Sequence, residues 1–231
     1  MFQLSFPFQI SAKASFYQET DFLLLKENQA AVNFLKKFFA QGNFSRSQFP
    51  SLIIRGGKCS GKTHLLHVFA KKFPLEFLQN SGISDLNLGS FFQANKFYVL
   101  ENIDEIANEE LILRLINSAF EAKAFLIITM RYQVQFKLKD LMSRLKNIFA
   151  VEIKNPSYET IKQLLSNGFA RRQIKLPSKI INFIADNIER SYEAVSNAEK
   201  IVELHCHESG KNVTMKEAKE IFNAIDHLGR F

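Results

Sequence analysis

Apolar positions recur at two different periods along this chain. Residues 28–41, NQAAVNFLKKFFAQ, carry them three and four apart and stop before Gly42, which predicts a helix. Four short runs lack that spacing: SLIIRG (51–56), KFYVLEN (96–102), AFLIITM (124–130) and IFAVEI (148–153). Nearly continuous apolar runs of this length suit strands buried on both faces. Helical segments separate them, and the alternation predicts an α/β fold, a parallel sheet covered by helices. After Asn155-Pro156 the strands cease, and helical patterns follow at about 157–172, 177–188, 190–207 and 214–224. A domain boundary is therefore expected near 155.

The first ten residues, MFQLSFPFQI, alternate like a strand, but Pro7 donates nothing to a sheet ladder, so the stretch reads as an edge strand or an extended peptide. It is too short for a signal peptide and lacks a basic start. No uninterrupted run of about 18 apolar residues exists, so no membrane span and a cytoplasmic setting are expected. Composition adds little to this. The 231 residues, 46% of them hydrophobic, suffice for one compact domain and a smaller one. A net charge of +7 favours acidic partners such as nucleotides or nucleic acid, although Lys and Arg are spread rather than clustered. Cys59 and Cys206 make no disulfide framework.

The strongest chemical signal follows the first apolar run: IIRGGKCSGKTHLLH. Gly56, four residues, then Gly61-Lys62-Thr63 is the P-loop pattern, and it stands between a predicted strand and a predicted helix, as the chemistry requires. Backbone amides of the turn Gly56, Gly57, Lys58, Cys59, Ser60 and Gly61, together with the helix start at Lys62, Thr63 and His64, can surround phosphate oxygens. Lys62 can neutralise the outer phosphates, and the Thr63 hydroxyl can reach Mg2+. Cys59 occupies a position where many such loops carry glycine, and a side chain there narrows the loop.

A magnesium site also needs an acid at a neighbouring strand end, and Glu101, directly after FYVL, supplies it. Asn102 follows where a second acid would strengthen the pair, so intrinsic ATP hydrolysis is expected to be slow or absent. Asp104 and Glu105 read as solvated residues or caps of the next helix.

These residues resemble the AAA+ ATPases of the replication-initiator (DnaA) group, and more closely its shorter Hda-type relatives, which inactivate the initiator. The resemblance runs through GGKCSGKTHLLH, YVLENIDEI, LIITMRY, LKDLMSRL and IKLPSKIINFIADNIERS in the family's order. It implies a three-layer P-loop AAA+ domain at 13–155, a helical lid at 156–231, and ADP or ATP with Mg2+ as cofactors. It makes Arg144 in DLMSRL the arginine finger offered to a neighbouring subunit's nucleotide, a role that suits a permanently charged fork. Thr129, with Arg131 nearby, would be sensor 1, although the family's usual TSD or TGD reads TMR here. Leu24 and Leu25 would cover the adenine. At the place of the sensor 2 arginine stands Glu193, and Arg190, three residues earlier and so nearly one helical turn away, is the substitute; the alternatives are a nucleotide held without a sensor 2 contact and a surface Arg190 paired with Asp186 or Glu193.

Hda-type proteins also carry an N-terminal peptide of the QLSLPL kind that docks on the DNA sliding clamp, and QLSFPF at 3–8 is similar. Within the peptide Gln3, Leu4, Ser5, Phe6, Pro7 and Phe8, Gln3 would hydrogen-bond at a pocket rim, Leu4, Phe6 and Phe8 would fill an apolar groove, and Pro7 limits the unbound entropy; an edge strand on the protein's own sheet remains the alternative. Residues 1–12 are thus expected to be a clamp-binding peptide. The resemblance further implies two partners, the DNA polymerase sliding clamp and the initiator DnaA, with DNA met through the clamp. It leaves monomer and homodimer both open. The expected role is negative regulation of replication initiation, promoting hydrolysis in the partner. The alternative is an ATP-dependent helicase loader or transposition helper that binds single-stranded DNA. No helix-turn-helix region for reading DNA is expected before Phe231, and HCH at 205–207 points its three side chains in different directions, unlike a metal site.

Overall fold

The structure, a computed structural model, describes residues 22–40, 51–78, 91–132, 134–209 and 213–226. Gln3, Leu4, Ser5, Phe6, Pro7 and Phe8 lie outside the described residues.

Five strands, β1 (Ser51–Gly56), β2 (Leu75–Leu78), β3 (Phe97–Leu100), β4 (Phe125–Met130) and β5 (Phe149–Ile153), form one sheet in the order β2-β3-β4-β1-β5. Every pairing is parallel, as the continuous apolar runs predicted. Helices α1 (Gln29–Ala40), α2 (Lys62–Ala70), α3 (Glu109–Glu121) and α4 (Lys139–Asn147) accompany the sheet. Strand β1, flanked by β4 and β5, has Ser51 to Ile54 buried. A parallel sheet brings all its strand C-termini to one edge, and register fixes which residues meet there. Ile54 pairs with Thr129, and Leu100 with Ile128. Gly56, Glu101 and Thr129 therefore reach the same edge on three adjacent strands, where open α/β sheets bind ligands.

The opposite edge is aromatic. Phe97 and Phe125, the first residues of β3 and β4, stack at 4.7 Å, and Phe38 of α1 meets both edge-on, at 5.9 and 6.2 Å. Such pairs contribute roughly 0.5–1.5 kcal/mol beyond the area they bury. They fix α1 across the strand starts, away from the ligand edge.

Beyond β5 come α5 (Tyr158–Arg171), α6 (Ser178–Asn187), α7 (Tyr192–Ser209) and α8 (Met215–Asp226). The Ser157 hydroxyl caps α5 by accepting from the Thr160 amide, a signal just after Pro156. Ile161, Leu165, Phe169, Ile184, Val202 and Phe222 are among the residues of a separate hydrophobic core in these helices. Contacts divide the chain into two compact units: residues up to Gly56 with Gly61–Ile153, and Gly57–Ser60 with Lys154 onward.

Two elements depart from expectation. β2 was not predicted, because LEFL is short and alternates exposed Glu76 with partly buried neighbours. β3 ends at Leu100 rather than Asn102, because Asn102 takes a left-handed φ of 49° and leaves the ladder.

Candidate nucleotide-binding site

Between β1 and α2 the chain turns tightly. The Ser60 amide donates to the Gly57 carbonyl at 3.3 Å, and Cys59 (φ 61°) and Gly61 (φ 86°) are both left-handed. Glycine takes that conformation without steric cost, whereas Cys59 holds it against its own Cβ and leaves its thiol exposed. Alternating backbone handedness curls successive amides into an anion-sized concavity. Gly61 is also the N-cap of α2 and brings no side-chain cap, so the helix start is open to an anion. Lys62 is buried, its ammonium donating to the Gly56 carbonyl at 2.9 Å across the loop. Ser60, 7% exposed, buries a hydroxyl that has no hydrogen-bond partner among the described residues. An uncapped helix start, a buried ammonium and an unsatisfied hydroxyl are the donor set that a phosphate group takes up. His64, one residue past Thr63, meets the Phe22 ring edge-on at 5.3 Å.

The oxygen groups that suit magnesium are Thr63, in the first turn of α2, and Glu101, just past β3, both half-buried. Glu101 is placed by its neighbours. The fully buried Thr129 hydroxyl accepts from the Asn102 amide at 2.8 Å and so pins the left-handed turn that Glu101 enters. Arg131 is engaged elsewhere: its Nε lies 2.9 Å from Asp104 Oδ2, its Nη2 donates to Glu105 Oε1 at 2.7 Å, and its amide donates to Asp104 Oδ1. Asp104 and Glu105 are thus tied to Arg131. They neither stand free in solvent nor cap α3, whose cap is Asn108.

Of the two leucines expected over the base, Leu25 is buried at 8% exposure and Leu24 stands out at 58%. Asn28, which sequence reading missed, builds this turn: its Oδ1 accepts from the Leu25 amide and its Nδ2 donates to the Leu23 carbonyl.

The positions expected to act from a helical lid fall differently. Arg190 lies in the bend before α7, which begins at Tyr192, so it is not one helical turn from Glu193 on a shared helix. Glu193 instead accepts from Lys58 Nζ at 2.6 Å. Asp186 accepts from the Tyr158 hydroxyl at 2.8 Å. Arg144 is exposed on α4 and forms no ion pair among the described residues, while Leu141 and Leu145 of the same helix enter the core.

No family model matches the chain. In sequence it is similar to the chromosomal replication initiator protein DnaA of Flavobacterium psychrophilum, at 24% identity over 202 residues, and of Bacteroides fragilis, at 22% over 210. These matches cover 76% and 79% of the chain but only 42% and 44% of the initiators, so the chain spans less than half the length of these relatives. Among solved structures, domain III of Thermotoga maritima DnaA superposes with a TM-score of 0.67 at 16% identity, over 90% of this chain and 96% of that one. AMPPCP-bound DnaA of Aquifex aeolicus gives 0.59 at 17% identity, over 81% and 64%. A point mutant of Thermotoga maritima RuvB gives 0.62 at 13% identity, over 87% and 70%. The fold is that of the AAA+ domains of DnaA and RuvB.

Proposed function

We propose that this chain is a sliding-clamp-tethered AAA+ adaptor of the Hda kind, which binds ADP or ATP in the Gly56–Thr63 loop and offers Arg144 to ATP held by the initiator DnaA. The observation that carries the reading is the pairing of a formed phosphate loop with an exposed guanidinium on α4 that has no ion pair among the described residues. Sequence similarity to DnaA, and the AMPPCP bound by its Aquifex relative, support the choice of ligand and partner.

Within the loop, backbone amides and Lys62 take the phosphates, and Ser60 gains an acceptor for its buried hydroxyl. Thr63 and Glu101 would hold Mg2+, which neutralises phosphate charge when bound. Thr129 acts one step back, holding Asn102 and with it the direction of Glu101. With Asn102 in place of a second acid, the chain's own turnover stays low, and hydrolysis takes place in the partner. There a guanidinium stabilises charge spread over the transferring phosphoryl oxygens, an effect worth roughly 10³–10⁵ in other nucleotide hydrolases. Residues 3–8 supply the attachment to the clamp, so inactivation follows clamp loading.

The test is ATP hydrolysis by the initiator with clamp, DNA and this protein present. Stimulation by the wild-type chain is expected, with a loss on the order of 10³-fold for Arg144→Ala. Changing Gln3, Leu4 and Phe8 together to alanine should abolish capture by the clamp. Full activity of Arg144→Ala sinks the mechanism. Robust turnover by the chain alone, stimulated by single-stranded DNA and without clamp affinity, establishes the helicase-loader alternative instead.

A further inference from the structure

The geometry points to Glu109 as the positioning residue for Arg144: its carboxylate clasps the start of α4 and so fixes where the guanidinium is presented. The inference rests on the reading of Arg144 given above.

Helix α4 is short, nine residues, and begins badly. Its N-cap is Leu138, which has no side-chain group to cap with, and its first helical bond runs from the Met142 amide to the Leu138 carbonyl. The core holds it through buried Leu141 and Leu145, with Leu138 and Met142 only partly buried against the same side. Apolar packing on one face is not directional and sets the tilt of the helix start less sharply than hydrogen bonds do. Those hydrogen bonds come from a different element. Glu109 Oε1 accepts from the Lys137 amide at 3.0 Å, and Oε2 accepts from the Leu138 amide at 2.6 Å. Both carboxylate oxygens are thus spent on successive amides at the mouth of α4.

Glu109 is itself fixed. It opens α3, whose cap Asn108 accepts from the Leu111 amide at 3.0 Å. Its charge stands at the positive ends of two helices at once, where an anion is favoured. The amides of Lys137 and Leu138 hold the Glu109 carboxyl below the ordinary carboxylate range, which keeps the clasp charged across the neutral range. Arg144 follows Leu138 by six residues, about 9 Å along the axis. At the far end of such a lever, a small rotation of the helix start moves the guanidinium by about 1 Å, enough to cost up to about 10²-fold in rate.

The experiment measures hydrolysis of initiator-bound ATP against the concentration of this protein, with clamp and DNA present. Glu109→Gln keeps the shape but offers a second donor to an amide, so one hydrogen bond at most survives; Glu109→Ala removes both. The maximal rate should fall about tenfold for Gln and about 10²-fold for Ala, with the half-saturating concentration and ADP affinity within about twofold of wild type. Glu109→Ala combined with Arg144→Ala should be no slower than Arg144→Ala alone, because the two act through one guanidinium. Amide exchange over 137–147 should rise in Glu109→Ala while β1 and β4 keep their protection. Should Glu109→Ala not fold, Glu109→Gln carries each measurement. A wild-type maximal rate, a change only in the half-saturating concentration, multiplicative losses in the double variant or unaltered exchange overturns the positioning role. Full stimulation by Arg144→Ala overturns the underlying reading, and this role with it. Normal dependence on Arg144 with indifference to Glu109 overturns the positioning role alone.

Discussion

A carboxylate 2.6 Å from Lys58 works against an anion in the same turn. Lys58 and Glu193 are 53% and 41% exposed, so their pair contributes no more than about 1 kcal/mol to stability, and salt weakens it further. Its weight is on charge: with Glu193 beside it, Lys58 offers a phosphate little net attraction. Glu193→Ala should therefore tighten ADP binding about two- to fivefold and leave the melting temperature without nucleotide within about 2 °C. Titration calorimetry at low and high salt checks this, and the gain should shrink at high salt and vanish in Lys58→Ala. Weaker ADP binding in Glu193→Ala would show that the carboxylate supports the nucleotide.

Elements are where local preference and packing can disagree, and α5 shows it. Gly168 sits mid-helix, where alanine is ordinarily worth about 1 kcal/mol more. A Cβ there would lie 1.8 Å from Glu199 Oε1 and 2.3 Å from its carboxyl carbon. Glu199, on α7, has nowhere cheap to go. It is buried, Arg172 Nη1 stands 2.9 Å from its other oxygen, and burial pushes its carboxyl up against the pull of that guanidinium. Gly168→Ala should thus destabilise by about 1–3 kcal/mol in urea unfolding, and the sign should reverse in a Glu199→Ala background. The same contrast explains what was legible beforehand. β1, β3, β4 and β5 declare themselves through apolar runs, and the phosphate loop through its glycines and lysine, because those signals are local. β2 hides in LEFL, whose exposed Glu76 breaks the run. The Glu109 clasp joins residues 28 and 29 apart, and the Lys58–Glu193 pair joins residues 135 apart. Nothing in the composition of either partner marks such contacts. Arg190 was misplaced for the converse reason: counting along a helix assumed one that begins only at Tyr192.

For the whole molecule the question is whether nucleotide is captured by a built loop or by general charge. The chain carries a net charge of +7, enough to attract ADP to many surface sites weakly. A ligand that binds only the folded state at 100 times its dissociation constant adds about 2.7 kcal/mol, roughly 5–10 °C for a chain of this size. That gain should depend on Lys62, whose ammonium is buried across the loop at 2.9 Å from the Gly56 carbonyl, and Lys62→Ala should keep no more than about 2 °C of it. Salt separates the two explanations: the Debye length falls to about 3 Å at 1 M, so shifts from diffuse charge fade while an enclosed phosphate site keeps most of its effect. Because the sheet and the C-terminal helices are built on separate hydrophobic cores, calorimetric and van't Hoff enthalpies must agree before the shift is converted into free energy. A shift that disappears with salt and is equal in wild type and Lys62→Ala would mean that surface charge, rather than the loop, holds the nucleotide. No shift with ADP or ATP would leave a loop that has lost its ligand on a fold kept for protein contacts.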